Sequence, residues 1–138
     1  MAFSFGFYLD PALTTPVSQR LAFVQANTAP VASDKVVWFG SPDPTVSCEA
    51  LSNPGTDAIV ISVVDAAPGT GSPASDIKLA TSAIGLESAT GGGALVLPAT
   101  LPGGVGNAVE IHIRVSDSTH TSGVHGDLGL STNPLRQA

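Results

Sequence analysis

The stretch from Asn107 to Asp117 reads NAVEIHIRVSD, and from Val109 to Ser116 it alternates strictly between apolar and polar residues. Successive side chains of a β-strand point to opposite faces, so this alternation predicts a strand with one face in a core and the other in water. The core face would hold Val109, Ile111, Ile113 and Val115. This stretch therefore sets the expected fold class as β.

Other short apolar segments follow the same period of two and are separated by groups of glycine, proline and asparagine. Such spacing, without helical periodicity between the segments, predicts a single all-β domain over residues 1–138, an antiparallel β-sandwich of jelly-roll or immunoglobulin-like type. Residues 82–89 are expected to form at most one or two helical turns. The nine predicted strands are Phe3–Leu9, Val17–Val24, Lys35–Phe39, Thr45–Leu51, Ala58–Val64, Ile77–Ala80, Ala94–Leu97, Ala108–Val115 and Gly126–Ser131.

One connection is specific enough to predict its geometry. In Asn53-Pro54-Gly55-Thr56, proline presets the first central φ of a type II turn and glycine accepts the positive φ of the second. We expect this turn to join Thr45–Leu51 and Ala58–Val64 as a hairpin.

A faint internal repeat has an offset of about fifty residues. Asp57–Asp65, a loop and Asp76–Leu79 resemble Asn107–Asp117, a loop and Asp127–Leu130. Two equivalent strand-loop-strand units in one sandwich would explain the likeness, although amphipathic strands also arise by chance. If the two segments occupied unrelated positions in the sheets, the likeness would have no structural meaning.

Charge is scarce in this chain. Asp, Glu, Lys and Arg make up 12% of the residues, whereas soluble domains average about 25%. A net charge of −6 with only five basic residues argues against binding to nucleic acid or to anionic lipid. A surface this poor in charge suits contact with other protein, because fewer ions must be desolvated.

The remaining totals limit the compartment and the chemistry. Cys48 is the only cysteine, so no intramolecular disulfide forms, and its strand-like surroundings predict an inert buried thiol. The N-terminal residues lack the basic start and unbroken apolar run of a signal peptide, which predicts a cytoplasmic site of synthesis.

Three histidines lie within fourteen residues and offer the one candidate metal site. His112, His120 and His125 lie near three carboxylates, Glu110, Asp117 and Asp127. Glu110 and His112 would share a strand face, but no motif fixes a ligand spacing, and solvated surface or a subunit contact is the other interpretation. The sequence also lacks a nucleophile elbow and a phosphate-binding loop, so we predict no enzyme, no metal and no cofactor.

The aromatic residues are concentrated at the N-terminus. Phe3, Phe5, Phe7 and Tyr8 are four of the seven. They fill either the chain's own core or the surface of a neighbouring subunit as an arm or edge strand formed by residues 1–10.

Two predicted strands, Lys35–Phe39 and Ala58–Val64, are apolar on both faces and are candidates for contact with a partner. Trp38 would also suit a sugar-binding face, although a single tryptophan in an apolar strand is usually a core residue. The interface candidates are Phe3, Phe5, Phe7, Tyr8, Val37, Trp38, Val60 and Val64.

These features together resemble a known class of protein. Strands rich in Gly, Ala, Ser and Thr, as in DIKLATSAIGLESATGGGALVLP (Asp76–Pro98) and NAVEIHIRVSD, with a free cysteine and few lysines, are similar in style to capsid decoration or cement proteins of tailed bacteriophages. The resemblance implies a many-copy β-sandwich of the virion, assembled in the host cytoplasm. It would clamp the major capsid protein through loops and strand edges, without catalysis.

We therefore expect a dimer or trimer with the coat protein as partner and with no role for nucleic acid or membrane. An immunoglobulin-like or carbohydrate-binding module on a phage tail or fibre is the alternative, and an exposed Trp38 in a polar groove would favour it. A third class, a hydrolase or metalloenzyme, would need a pocket that joins His112 to His120 or His125.

Overall fold

A computed structural model describes residues 4–17, 33–65, 74–116 and 128–138. Within these ranges the chain folds into antiparallel sheets with one short helix, which confirms the predicted all-β, sandwich-like fold. The strands are β1 (Gly6–Tyr8), β2 (Ser33–Gly40), β3 (Ser47–Ala50), β4 (Ile59–Asp65), β5 (Ile77–Ala80), β6 (Leu95–Leu97), β7 (Thr100–Pro102), β8 (Val109–Val115), β9 (Leu128–Thr132) and β10 (Leu135–Gln137), and the helix is α1 (Gly85–Ser88).

The described strands form three sheets around one core. Sheet A has the order β1-β2-β8-β5, sheet B has the order β10-β3-β7, and sheet C has the order β6-β4-β9. All three sheets contribute buried side chains to a single hydrophobic cluster. Its members are Phe5, Val37, Phe39, Val46, Cys48, Ile59, Ile61, Ile77, Leu79, Leu97, Leu101, Ile111 and Ile113.

The observed strands agree with most of the predicted ones. Eight of the nine predicted segments overlap an observed strand, and Ile77–Ala80 has the same bounds. Of the ninth, Val17 is described and donates its N–H to the carbonyl of Phe7 at 2.9 Å, while residues 18–24 lie outside the described residues. Strands β7 and β10 were not predicted.

The predicted turn at residues 53–56 forms, but the predicted hairpin is wrong. Gly55 has a φ of +79°, and Thr56 donates its N–H to the Asn53 carbonyl at 2.9 Å. However, β3 pairs with β7 and β10 in sheet B, whereas β4 pairs with β6 and β9 in sheet C. The turn is therefore a corner between two sheets, because both strands find their partners farther along the chain.

The internal repeat corresponds to equivalent positions in the fold. Strand β5 pairs with β8, and β9 pairs with β4, in the same register: Leu79 lies opposite Ile113 as Leu130 lies opposite Val63. The next pairs agree as well, since Ala80 lies opposite His112 and Ser131 lies opposite Ser62.

The equivalence extends to the other neighbour of each central strand. Strand β2 pairs with β8, and β6 pairs with β4, so that Val37 lies opposite Ile111 as Leu95 lies opposite Ile61. Strands β2–β5 thus form one unit and β6–β9 a second. The last strand of the first unit, β5, pairs with the third strand of the second unit, β8, in sheet A. In the same way, β9 of the second unit pairs with β4 of the first in sheet C. Sheets A and C are built on the same plan, and β3 and β7 pair where the units meet.

Candidate interaction surface

The outer face of sheet C is apolar and uncharged. Along β4, Ile59 and Ile61 are fully buried, so the alternating residues Val60, Ser62 and Val64 point away from the core. Their partners on the flanking strands share this face: Val96 of β6 lies opposite Val60, while Ser131 and Gly129 of β9 lie opposite Ser62 and Val64. We call these six residues the valine–serine face.

The valine–serine face is open to solvent. Val96 is 65% exposed and Val64 is 42% exposed, while Val60 and Ser62 are half-buried. None of the six residues of this face, which lie on the antiparallel strands β6, β4 and β9, is charged. An exposed valine on a short edge strand, such as Val96 on β6, is unusual, because natural sheets commonly protect their edges with lysine, proline or a bulge.

The equivalent face of sheet A is charged. Glu110, His112 and Arg114 occupy on β8 the positions that Val60, Ser62 and Val64 occupy on β4. Trp38 corresponds to Val96, and Lys78 corresponds to Gly129. The same backbone plan therefore carries an ordinary polar surface in one sheet and an apolar surface in the other.

Ion pairs organise the outer face of sheet A. The Arg114 guanidinium donates from Nε and Nη2 to the two carboxylate oxygens of Asp34 at 2.8 and 2.9 Å, and from Nη1 to Glu87 Oε1 at 3.1 Å. The hydrogen bonds from Arg114 lower the pKa of Asp34 because they stabilise its ionised form. Arg114 thereby links β8 to β2 and to helix α1.

Sheet B also carries an ion pair on its outer face. Arg136 of β10 lies opposite Glu49 of β3, and Arg136 Nη2 is 3.1 Å from Glu49 Oε2. Cys48 precedes Glu49 and points the other way, into the core. Among the outer faces of the three described sheets, the valine–serine face is the one without an ion pair.

The aromatic residues of the N-terminal strand face mainly inward. Phe5 is 6% exposed and belongs to the core cluster, and the Phe7 ring centroid lies 5.1 Å from that of Phe39. The Tyr8 hydroxyl donates to the Ser4 carbonyl at 3.1 Å. Phe3 lies outside the described residues.

The structure divides the remaining predicted interface residues between core and surface. Val37 is 1% exposed, so it and Phe5 are core residues without surface for a partner, which corrects their assignment as interface candidates. Trp38 is half-buried on the outer face of sheet A, between Tyr8 and Glu110. Val60 and Val64 lie together on the valine–serine face.

The structure describes only part of the predicted histidine cluster. His112 Nε2 is 3.6 Å from Glu110 Oε1 on the outer face of sheet A. His120, His125, Asp117 and Asp127 lie outside the described residues, and the described part of the chain contains no group of three or more metal-ligating side chains.

Cys48 lies between Leu101 and Gln137 in the centre of sheet B and is fully buried. Burial, and to a lesser extent the nearby Glu49 charge, raise the pKa of its thiol to about 11. The predicted burial of this cysteine is confirmed.

The two ends of the described chain meet beside Ser41. The Ser4 N–H donates to Gln137 Oε1 at 2.8 Å, and the Ser4 hydroxyl lies 2.5 Å from the hydroxyl of Ser41, which is fully buried. These contacts fasten β1 and β10 to the loop that follows β2.

Ser62 lies in the predicted contact strand Ala58–Val64 but was not itself a candidate, and the other three members of the valine–serine face, Val96, Gly129 and Ser131, were not identified from the sequence. Their local signal is alternation in Leu95-Val96-Leu97 and in Leu128-Gly129-Leu130-Ser131, which shows that each strand has an outward side. It does not show that both strands flank β4.

None of the described helices is long and apolar enough to cross a membrane. Comparisons of the chain with protein-family models, with curated proteins and with solved structures give no match.

Proposed function

We propose that this chain is a non-enzymatic structural protein of a virus particle, a decoration or cement protein that binds and stabilises neighbouring capsid subunits. The single observation that carries the proposal is the uncharged valine–serine face. The equivalent face of sheet A carries ionised groups, so the fold itself does not require an apolar surface at these positions. A protein-binding role gives a reason for it.

The size of the valine–serine face supports a contact that is repeated many times. Three strands about 4.8 Å apart, with three outward residues on the central strand, cover about 300 Å². A stable pairwise interface buries about 800 Å² on each partner, so this face is too small to hold a permanent complex by itself. On a particle, many equivalent weak contacts act together and supply the holding free energy.

The overall charge is consistent with the same proposal. A net charge of −6 and five basic residues in the whole chain leave no basic stripe for nucleic acid or anionic lipid. The proposed partners are the major capsid protein and further copies of this chain, on a virion assembled in the host cytoplasm.

The test is the composition and stability of purified particles from a host that expresses the gene. We expect the protein in many copies on the particle surface by electron microscopy. Particles that lack it should lose their genome at lower temperature, and added purified protein should restore the wild-type value. Its absence from purified particles would contradict the proposal.

The alternative function is a carbohydrate-binding module on a tail or fibre. The row Tyr8, Trp38 and Glu110 on the outer face of sheet A supports it, because an aromatic ring beside a carboxylate is suited to a sugar ring and its hydroxyls. Binding of an oligosaccharide on a glycan array, lost in Trp38→Ala but kept in Val64→Lys, would favour this alternative.

A further inference from the structure

The valine–serine face needs an identified occupant. Val96 and Val64 remain 65% and 42% exposed, and the equivalent positions of sheet A show that charged residues are compatible with this fold. We propose that the occupant is the same face of a second copy of this chain, so that two copies form a weak two-fold dimer. This inference rests on the proposed function only in treating the face as a protein-binding surface.

Charge complementarity favours a second copy with the same face. If sheet A of another copy covered the valine–serine face, the Arg114–Asp34 pair and Lys78 would lose water. If sheet B covered it, the Arg136–Glu49 pair would lose water. Removing ions from water costs several kcal/mol each unless new partners replace it, whereas two valine–serine faces meet without burying an ion.

The polar residues of the face are also complementary to themselves. Ser62 and Ser131 lie opposite each other at its centre. A hydroxyl both donates and accepts a hydrogen bond, so the serines of one copy are able to satisfy those of the other. A two-fold contact places the same patch on both subunits and therefore requires this self-complementarity.

The dimer is expected to be weak. About 300 Å² on each partner gives a total near 600 Å², in the range of transient contacts. Association should therefore be concentration-dependent, with fast exchange between monomer and dimer. On a particle surface, a local concentration in the millimolar range would keep the contact occupied.

The experiment is a dilution series of the purified full-length protein, followed by ¹⁵N–¹H NMR and by sedimentation velocity, from about 1 mM to about 20 µM. The test variants are Val64→Lys and Val96→Lys. The matched controls are Val105→Lys and Ile84→Lys, which make the same charge change at residues that are 50% and 84% exposed outside sheet C.

We expect concentration-dependent amide shifts in β6, β4 and β9 of the wild-type protein. Both test variants should weaken association at least tenfold, whereas both controls should associate like the wild type. Circular dichroism would verify that every variant is folded.

Three results would overturn the dimer: amide shifts that do not change with concentration, shifts confined to sheets A and B, or equal loss of association in test and control variants. The first result would mean that a different protein covers the valine–serine face, and it would leave the proposed virion function unchanged. Conversely, dimerisation of a protein that is absent from particles would retain the dimer and reject the virion function.

Discussion

Strands β4 and β8 occupy equivalent positions, yet only their inner sides are alike. Ile61 and Ile111 are both fully buried and both face the shared core. On the outer side, Val60 and Val64 of β4 correspond to Glu110 and Arg114 of β8. Packing in the core determines the inner residues, whereas the outer residues are free to follow function. The absence of charge from the outer side of sheet C is therefore evidence about function.

The difference between the outer residues of the two sheets also changes how each sheet is linked to neighbouring parts of the chain. Arg114 joins β8 to Asp34 of β2 and to Glu87 of α1 through ion pairs. On sheet C, the Asn133 side chain takes a comparable linking role without charge, because it accepts from the Val60 N–H at 2.9 Å and donates to the Ala58 carbonyl at 3.1 Å. Sheet A is therefore linked to its neighbours by ion pairs, whereas sheet C has a side-chain amide that binds the backbone of β4 and of the residue before it.

The largest expected effect concerns the seam where the two units meet. Cys48 of β3 lies opposite Leu101 of β7, and burial raises its pKa to about 11, so its thiolate at pH 8 is more than about a hundredfold scarcer than that of an ordinary cysteine. We expect reaction with a disulfide reagent to be slower than in urea-unfolded protein by at least this factor. Equally fast reaction in folded protein would show that the two units separate readily.

The second effect tests whether the inner sides are equivalent. Ile61→Ala and Ile111→Ala each remove buried methyl groups and leave a cavity, which should lower the free energy of unfolding by about 2–5 kcal/mol. We expect the two losses to agree within about 1 kcal/mol, because both residues are isoleucines that are fully buried at equivalent positions of the two sheets. Urea denaturation measures both values. A lower free energy of unfolding in only one of the two variants would show that the inner positions of β4 and β8 are not equivalent.

A third prediction exchanges the outer residues. Val60→Glu places on β4 the residue that β8 carries at the equivalent position, so the change in unfolding free energy should stay below about 1 kcal/mol. Self-association should nevertheless be lost, because a carboxylate would be buried in the proposed dimer. Thermal melting and sedimentation velocity measure the two effects. Ile61→Glu is the contrasting variant and should unfold the protein, since it buries an unpaired charge.

The smallest effect concerns the ions of sheet A. Hydrogen bonds from Arg114 lower the pKa of Asp34 in the folded state, so this carboxylate stabilises the fold above its unfolded pKa of about 3.9. That contribution is lost as the pH falls through the lower folded value. Because Asp34 is 43% exposed and screened by solvent, Asp34→Asn should cost less than about 1 kcal/mol at pH 7.

The check is a urea titration of wild type and Asp34→Asn at several pH values. The difference between them should shrink as the pH falls from about 4 towards 2, and also in about 1 M salt. A difference that is constant with pH would mean that the carboxylate charge is not responsible.

Much of the fold could be predicted because its strands have clear local patterns. The alternation in Val109–Val115 identifies both the strand and its buried side. Strand β7 was missed because Thr100–Pro102 includes a proline, and β10 was missed because Leu135–Gln137 has a single apolar residue and therefore no alternation. The hairpin at residues 53–56 was wrong because a turn sequence determines local geometry, whereas the pairing of β3 and β4 depends on strands far along the chain.

The candidate surface was predictable only in part for the same reason. Val60 and Val64 belong to a strand that is apolar on both sides, which indicates a second apolar contact. Their neighbours Val96 and Gly129 come from strands about 35 and 65 residues later, so the face exists only after folding. In Lys35–Phe39 the register directs Val37 inward and Trp38 outward, a choice that composition alone does not make.

The contact of Ser4 with Gln137 makes this chain suitable for rearrangement by protein engineering. Because the 2.8 Å hydrogen bond places the two ends of the described chain side by side, a short linker would join them. New termini could then open in the exposed corner at residues 52–56.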